Sequence, residues 1–142
     1  MGCWDEGVLS GAEPLDMLAC LEKVLGIREL YPFENWDEEK RKEVKDAIEC
    51  RWGKFLIEIA RLRATGSDPA IGAQVAAVLV MAAGAMMPRA LRCESLIAAL
   101  NDSWARGSQT RKARMEELFQ AVEKYDEEPI LLTGKGLLEA AG

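Results

Sequence analysis

A run of twenty residues from Pro69 to Pro88 contains no charged side chain, although 30% of the whole chain is charged. Nine of these residues are Ala or Gly, and one polar residue, Gln74, lies in the middle. A helix that is apolar on all sides is either a buried core helix or a membrane span. Because alanine adds little to the free energy of membrane insertion compared with leucine, we expect a central buried helix.

Apolar residues on both sides of this run recur at helical spacing. The first helix is expected to begin near Pro14, where a missing N–H costs nothing, and to end at Gly26. Steps of three and four residues then continue from Val44 to Leu62 and predict a helix over 38–64, with Asp37 as its N-cap. An unbroken helix of that length would be about 40 Å long, so we expect a kink or break near Gly53.

Two further helices are predicted after the uncharged run, one from Pro88 and one over about 110–125. Each has an apolar stripe that is expected to face the core. The first stripe comprises Cys93, Leu96, Ile97, Leu100 and Trp104. The second comprises Met115, Leu118, Phe119 and Val122. Alternating strand and helix signals are missing, which argues against a parallel sheet.

The sequence therefore predicts an all-α fold, a compact bundle of about five helices around the central Ala/Gly-rich helix. We expect one helical domain over 1–142, with an irregular N-terminal segment at 1–12 and an extended C-terminal tail at 127–142. Three residues are expected to be structural. Gly72 and Ala76 would let a neighbouring backbone approach the central helix closely, and the Trp4 ring would dock on the bundle.

Several classes of site are excluded or disfavoured by composition. The chain has no histidine, which excludes imidazole catalysis and Ser-His-Asp or Cys-His mechanisms. Four acidic residues near the start match no calcium loop, and residues 133–136 match no phosphate loop. We therefore predict no catalytic residue, no metal ligand and no cofactor. The acidic residues are Asp5, Glu6, Glu13 and Asp16.

The four cysteines form no CxxC pair and so predict no zinc site. Cys20, Cys50 and Cys93 lie beside apolar residues in helical patterns, and we expect them to be small core residues in a reducing, cytoplasmic compartment. The net charge is −6, which disfavours direct nucleic-acid binding. A local basic surplus is interpreted as a solvated helix start. It comprises Arg106, Arg111, Lys112 and Arg114.

The N-terminal segment resembles a known family. The chain opens Met1-Gly2-Cys3-Trp4, Gly7 follows, and the first helix carries Pro14-Leu15-Asp16. This pattern is similar to small bacterial and phage proteins of unknown function that begin MG-x-W, such as the DUF4259 family. The resemblance covers about the first quarter of the chain. It implies a cytoplasmic protein without assigned catalytic residues, and it transfers no site.

We expect a non-catalytic protein that binds another protein. An inhibitor or immunity-type factor from a phage or mobile element fits this profile, an anti-CRISPR protein being one example. A self-associating structural helical domain, for example a homodimer, and a small enzyme that uses carboxylates remain as alternatives. No membrane association is expected, because the uncharged run is predicted to be buried.

Two segments are candidates for partner binding. One is the aromatic loop with Tyr31, Phe33 and Trp36. The other is the tail, which either covers the protein's own core or lies in a groove of a partner. Its apolar residues are Ile130, Leu131, Leu132, Leu137 and Leu138.

Overall fold

A computed structural model describes residues 12–28, 30, 36–65, 69–102 and 104–127. Within these residues the chain forms six α-helices and one short 3₁₀ helix, η1, and no strand. The predicted all-α class is therefore confirmed. The helices are α1 (Ala12–Leu25), α2 (Glu38–Cys50), α3 (Trp52–Thr65), α4 (Pro69–Ala83), α5 (Arg89–Leu100), η1 (Trp104–Gly107) and α6 (Gln109–Lys124).

The long apolar repeat after the aromatic loop is divided into two helices. Asp37 caps α2, since its Oδ1 accepts a hydrogen bond of 2.7 Å from the backbone N–H of Lys40. Arg51 ends α2 with φ −112° and ψ 30°, and α3 begins at the next residue. The predicted break is confirmed, two residues before Gly53. A Cβ at Gly53 would meet nothing within 4 Å, so packing does not require a glycine there.

The central helix is α4. Its residues from Ala73 to Ala83 are all buried, and it packs against α1, α2, α3 and α5. Gly72 lies against α3, where an added Cβ would come within 3.0 Å of Arg63 Cγ and 3.4 Å of the Arg63 backbone nitrogen. Ala76 is fully buried. No helix in the described part of the chain is long and apolar enough to cross a bilayer.

Helix α5 faces the core with a different side from the one predicted. The structure buries Leu91, Ser95, Ala98 and Ala99, whereas Cys93 is exposed, Ile97 is 58% exposed and Leu100 is 70% exposed. The predicted inward stripe is therefore wrong, with Leu96 only half-buried. Small residues explain the choice, because Ala98 packs with Ala70 and Ala73 where α5 meets α4.

The cysteine prediction is also partly wrong. Cys50 and Cys93 are exposed, and Cys20 is half-buried beside the core. Each of these two helices packs on the core with one face only. Both exposed thiols lie on the opposite, solvent-facing side of their helix. In α6, Met115, Leu118 and Val122 are buried and Phe119 is half-buried, close to the prediction.

Candidate functional site

A buried polar network joins three elements at the end of α5. Gln74 comes from the middle of α4, Asp102 follows α5, and Arg111 lies in the first turn of α6. Their side chains are almost completely buried. The interpretation of Arg111 as part of a solvated helix start is therefore wrong. Ser108 caps α6 by accepting from the Arg111 backbone N–H at 3.1 Å, and the Arg111 side chain turns inward.

Each member of this network contacts both others. The Asp102 carboxylate accepts from Arg111 Nη2 at 2.8 Å, Arg111 Nε at 3.1 Å and Gln74 Nε2 at 2.9 Å. It also accepts from the backbone N–H of Ala105 at 2.8 Å. Gln74 Oε1 in turn accepts from Arg111 Nη2 at 2.9 Å. The network therefore fixes the loop between α5 and α6 against the central helix.

The electrostatic balance keeps Asp102 ionised. Burial raises the pKa of its carboxyl group, but hydrogen bonds from Arg111 and Gln74 and the Arg111 charge lower it by more, so the pKa lies below its ordinary value. A carboxylate saturated with hydrogen bonds and with a lowered pKa is a weak proton acceptor. Asp102 is thus arranged as a structural anion rather than a general base.

A groove of about 460 Å³ opens beside the network. Both apolar and polar side chains line it. The apolar lining residues are Ala99, Leu100, Ala105, Met115 and Phe119. The polar lining residues are Asp102, Arg106, Gln109, Lys112, Glu116 and Gln120.

The groove chemistry suits an apolar segment with a polar backbone. Gln109, Lys112, Glu116 and Gln120 follow one face of α6 at steps of three and four residues, over about 16 Å. Such a face offers donors and acceptors to a peptide backbone, while the apolar lining residues can contact apolar side chains. The described residues hold no group of three or more metal-ligating side chains.

A second surface lies along the solvent side of α5. We define the α5 seam as Ala90, Cys93, Ile97 and Leu100, all of which are exposed. Their spacing of three, four and three residues places them in one line on a helix. Leu100 belongs to both the seam and the groove. The two surfaces therefore meet at the C-terminal end of α5.

The chain leaves α6 at an anchored point. Tyr125 is buried, and its hydroxyl donates to Ala85 O at 2.6 Å and lies 3.3 Å from Val80 O. The Arg92 guanidinium donates to the carbonyls of Val122 and Tyr125. Burial raises the pKa of the Tyr125 phenol, and the charge of nearby Glu127 raises it further. We call this arrangement the Tyr125 anchor.

The structure places only part of the predicted partner-binding set. Trp36 is half-buried against the core, and its indole N–H donates to Leu30 O at 2.8 Å. The ring therefore contributes to the fold as well as to the aromatic loop. The other predicted residues lie outside the described residues, as does Trp4. They are Tyr31, Phe33, Ile130, Leu131, Leu132, Leu137 and Leu138.

Reasoning from the sequence missed the network, the groove and the seam. A weak signal existed for the network, because Gln74 is the one polar residue in a helix otherwise made of apolar residues. A buried amide in such a position requires hydrogen-bond partners from another element. No comparable signal identifies which carboxylate and which guanidinium supply them.

Comparison with known proteins adds no identification. No protein-family model, no curated protein and no solved structure matches this chain. The similarity of its N-terminal segment to the DUF4259 family stays a prediction.

Proposed function

We propose that the protein is a non-catalytic, cytoplasmic protein that binds a helix of a partner protein through the α5 seam. The observation that carries this proposal is the exposure of four aligned apolar residues on one helix. Ile97 and Leu100 alone are 58% and 70% exposed, and both lie on the same face. Contiguous apolar surface of this kind is typical of a protein interaction site.

The spacing of the seam specifies the partner's chemistry. Steps of three and four residues are the pattern by which two helices interdigitate along a shared seam. The seam is small at Ala90 and Cys93 and large at Ile97 and Leu100. A partner helix would therefore fit best with large apolar residues opposite the small end and small residues opposite the large end.

The biological class proposed is an inhibitor or immunity-type factor, of which an anti-CRISPR protein is one example. A small acidic protein with an apolar seam can act by covering a surface of its target. The free thiols of Cys20, Cys50 and Cys93 fit a reducing compartment. The carboxylate enzyme alternative gains no support from the groove, because its buried carboxylate, Asp102, is committed to Arg111 and Gln74.

Self-association is a second candidate function, favoured by the asymmetry of the seam. If two copies pair with antiparallel α5 helices, Ala90 of one copy faces Leu100 of the other, and Cys93 faces Ile97. Small side chains then meet large ones in every layer. Such a pairing is isologous and closes as a dimer.

The test compares two single substitutions of exposed isoleucines. Ile97→Glu places a charge in the seam, whereas Ile57→Glu places one on α3 at a side chain that is 72% exposed and outside the seam. Both variants should fold like the wild type, because neither side chain is buried. Thermal melting followed by circular dichroism checks this expectation.

Binding is then measured with each protein as bait, and any captured partner is purified and titrated against all three proteins. We expect the wild type and Ile57→Glu to bind it equally, and Ile97→Glu to lose binding. Light scattering separates the second candidate, because a wild-type dimer that Ile97→Glu converts to a monomer indicates self-association. Equal binding and equal mass for all three proteins would exclude the seam as an interface.

A further inference from the structure

We propose that the groove beside the buried network binds the free C-terminal end of a partner's peptide chain whose last residues are apolar. The terminal carboxylate pairs with Arg106 and Lys112, and the peptide's side chains contact the apolar lining residues. This inference goes beyond the proposed function, because Leu100 is the one lining residue that the groove shares with the α5 seam. It rests on the charges, the amide groups and the size of the groove.

The charged residues that line the groove leave a surplus of positive charge. Arg106 on η1 and Lys112 in the first turn of α6 are both exposed. In the described part of the chain, neither of them forms an ion pair. Asp102 adds no free negative charge, because Arg111 pairs with its carboxylate at 2.8 Å. Glu116 alone opposes the two cations, so the groove is locally cationic in a chain whose net charge is −6.

This distribution of charge selects a ligand with a single negative charge. The overall negative charge of the protein disfavours anions at most of its surface, whereas Arg106 and Lys112 attract one to the groove. A guanidinium also matches a carboxylate with two parallel hydrogen bonds. Glu116 follows Lys112 by one turn of α6 and would repel a second negative charge. A carboxylate therefore fits the groove better than a phosphate group.

The remaining polar residues match the backbone of a peptide. Gln109 and Gln120 carry amide groups, which donate and accept hydrogen bonds as each peptide unit does. Glu116 can accept a hydrogen bond from a backbone N–H. A fatty acid, which has a carboxylate but no amide, would leave all three side chains without a partner in the ligand. The groove thus favours a peptide over a simple amphipathic anion.

The size of the groove limits the bound segment to a few residues. Its volume of about 460 Å³ lies within the range of about 300–1,000 Å³ that is typical of small-ligand sites. Along α6, Lys112 and Gln120 are separated by about 12 Å at 1.5 Å per residue. An extended peptide covers that distance in about four residues. Apolar side chains on such a segment have Leu100 and Phe119 to contact.

The test compares two peptides that differ only in the charge of their C-terminus. Both are fluorescein-labelled hexapeptides whose last four residues are leucine and valine. One peptide ends in a free carboxylate and the other in an amide. Fluorescence anisotropy is recorded while the full-length protein is titrated into each peptide. We expect the free acid to bind at least about fivefold more tightly, because only the acid can pair with Arg106 and Lys112.

Substitutions of exposed residues locate the binding. Lys112→Gln and Arg106→Gln each remove one lining cation and should weaken binding of the free acid about two- to fivefold. Glu116→Gln removes the opposing charge and should strengthen it. Lys54→Gln is the matched control, since it removes the same charge from α3, outside the groove. None of these side chains is buried, so thermal melting of all four variants should match that of the wild type.

Four results would overturn the proposal. Absence of binding, or equal binding of the acid and the amide, shows that the groove does not hold a terminal carboxylate. Equal losses in Lys112→Gln and Lys54→Gln show that only the net charge of the protein matters. Displacement of the free acid by decanoate as effectively as by unlabelled peptide shows that the backbone contributes nothing. None of these results bears on the α5 seam, because Ile97, which tests the seam, does not line the groove.

Discussion

Removing the Asp102 carboxylate should be the most damaging single change in the described polar network. Asp102→Ala deletes the acceptor of two Arg111 hydrogen bonds and one from Gln74, and leaves the Ala105 N–H without its side-chain acceptor. The Arg111 side chain is only 3% exposed, and the substitution removes the carboxylate that it pairs with. An uncompensated buried charge is costly because the low-polarity interior solvates it poorly.

The expected loss follows from this geometry. Removing one partner of a buried ion pair costs about 3–5 kcal/mol. For a chain of this length each kcal/mol corresponds to about 4 °C in melting temperature, so we expect a decrease of about 10–20 °C. A domain near the middle of the ordinary range, with about 10 kcal/mol of stability, would remain folded at 25 °C.

The assay is urea unfolding followed by circular dichroism at pH 7. Glu38→Gln is the control, since Glu38 forms an exposed ion pair with Arg41 on α2 and such pairs contribute little. Arg111→Met combined with Asp102→Ala removes both charges of the buried ion pair and should recover part of the loss. The reasoning is refuted if Asp102→Ala is as stable as the control, or if the double variant is no more stable than Asp102→Ala.

Four further outcomes are expected. Because the pKa of Asp102 is lowered by folding, the network's stabilisation should be present above about pH 4 and lost as the pH falls through the folded pKa, so wild type and Asp102→Asn should converge in acid melts. Tyr125→Phe removes the buried hydroxyl donor and should cost about 1–2 kcal/mol in urea unfolding. Ala76→Leu should overpack the fully buried side of α4 and cost about 1–3 kcal/mol or more. Trp4→Ala should cost about 2–4 kcal/mol if the ring docks on the bundle, and an unchanged melting temperature would show that it does not.

The fold was predictable because its strongest signals are local. The uncharged run specifies a buried helix, and α4 is buried from Ala73 to Ala83. The capping oxygen of Asp37 and the break after Cys50 follow from short-range chemistry and from helix length. Each of these features depends on residues within a few positions of one another, so it can be predicted from a short stretch of sequence.

The network depends on contacts between distant parts of the chain. Gln74 and Arg111 are 37 residues apart, and nothing near either residue specifies the other. The sequence around Arg111 is typical of a solvated helix start. Its side chain turns inward because α6 packs on α5 and η1. A buried charge is decided by tertiary geometry, so local charge patterns mispredict it.

Helix α5 shows why an amphipathic pattern does not by itself identify the buried face. Burying Ile97 and Leu100 would remove more apolar surface from water than burying Ser95 and Ala98. The small side is buried instead because α4 presents Ala70 and Ala73 there, and small residues on both helices allow close backbone approach. A hydrogen bond of 3.2 Å from Gln74 to Ala98 O fixes that side inward. With this face committed to α4, the large residues of the seam can gain free energy from burial only when another surface covers them.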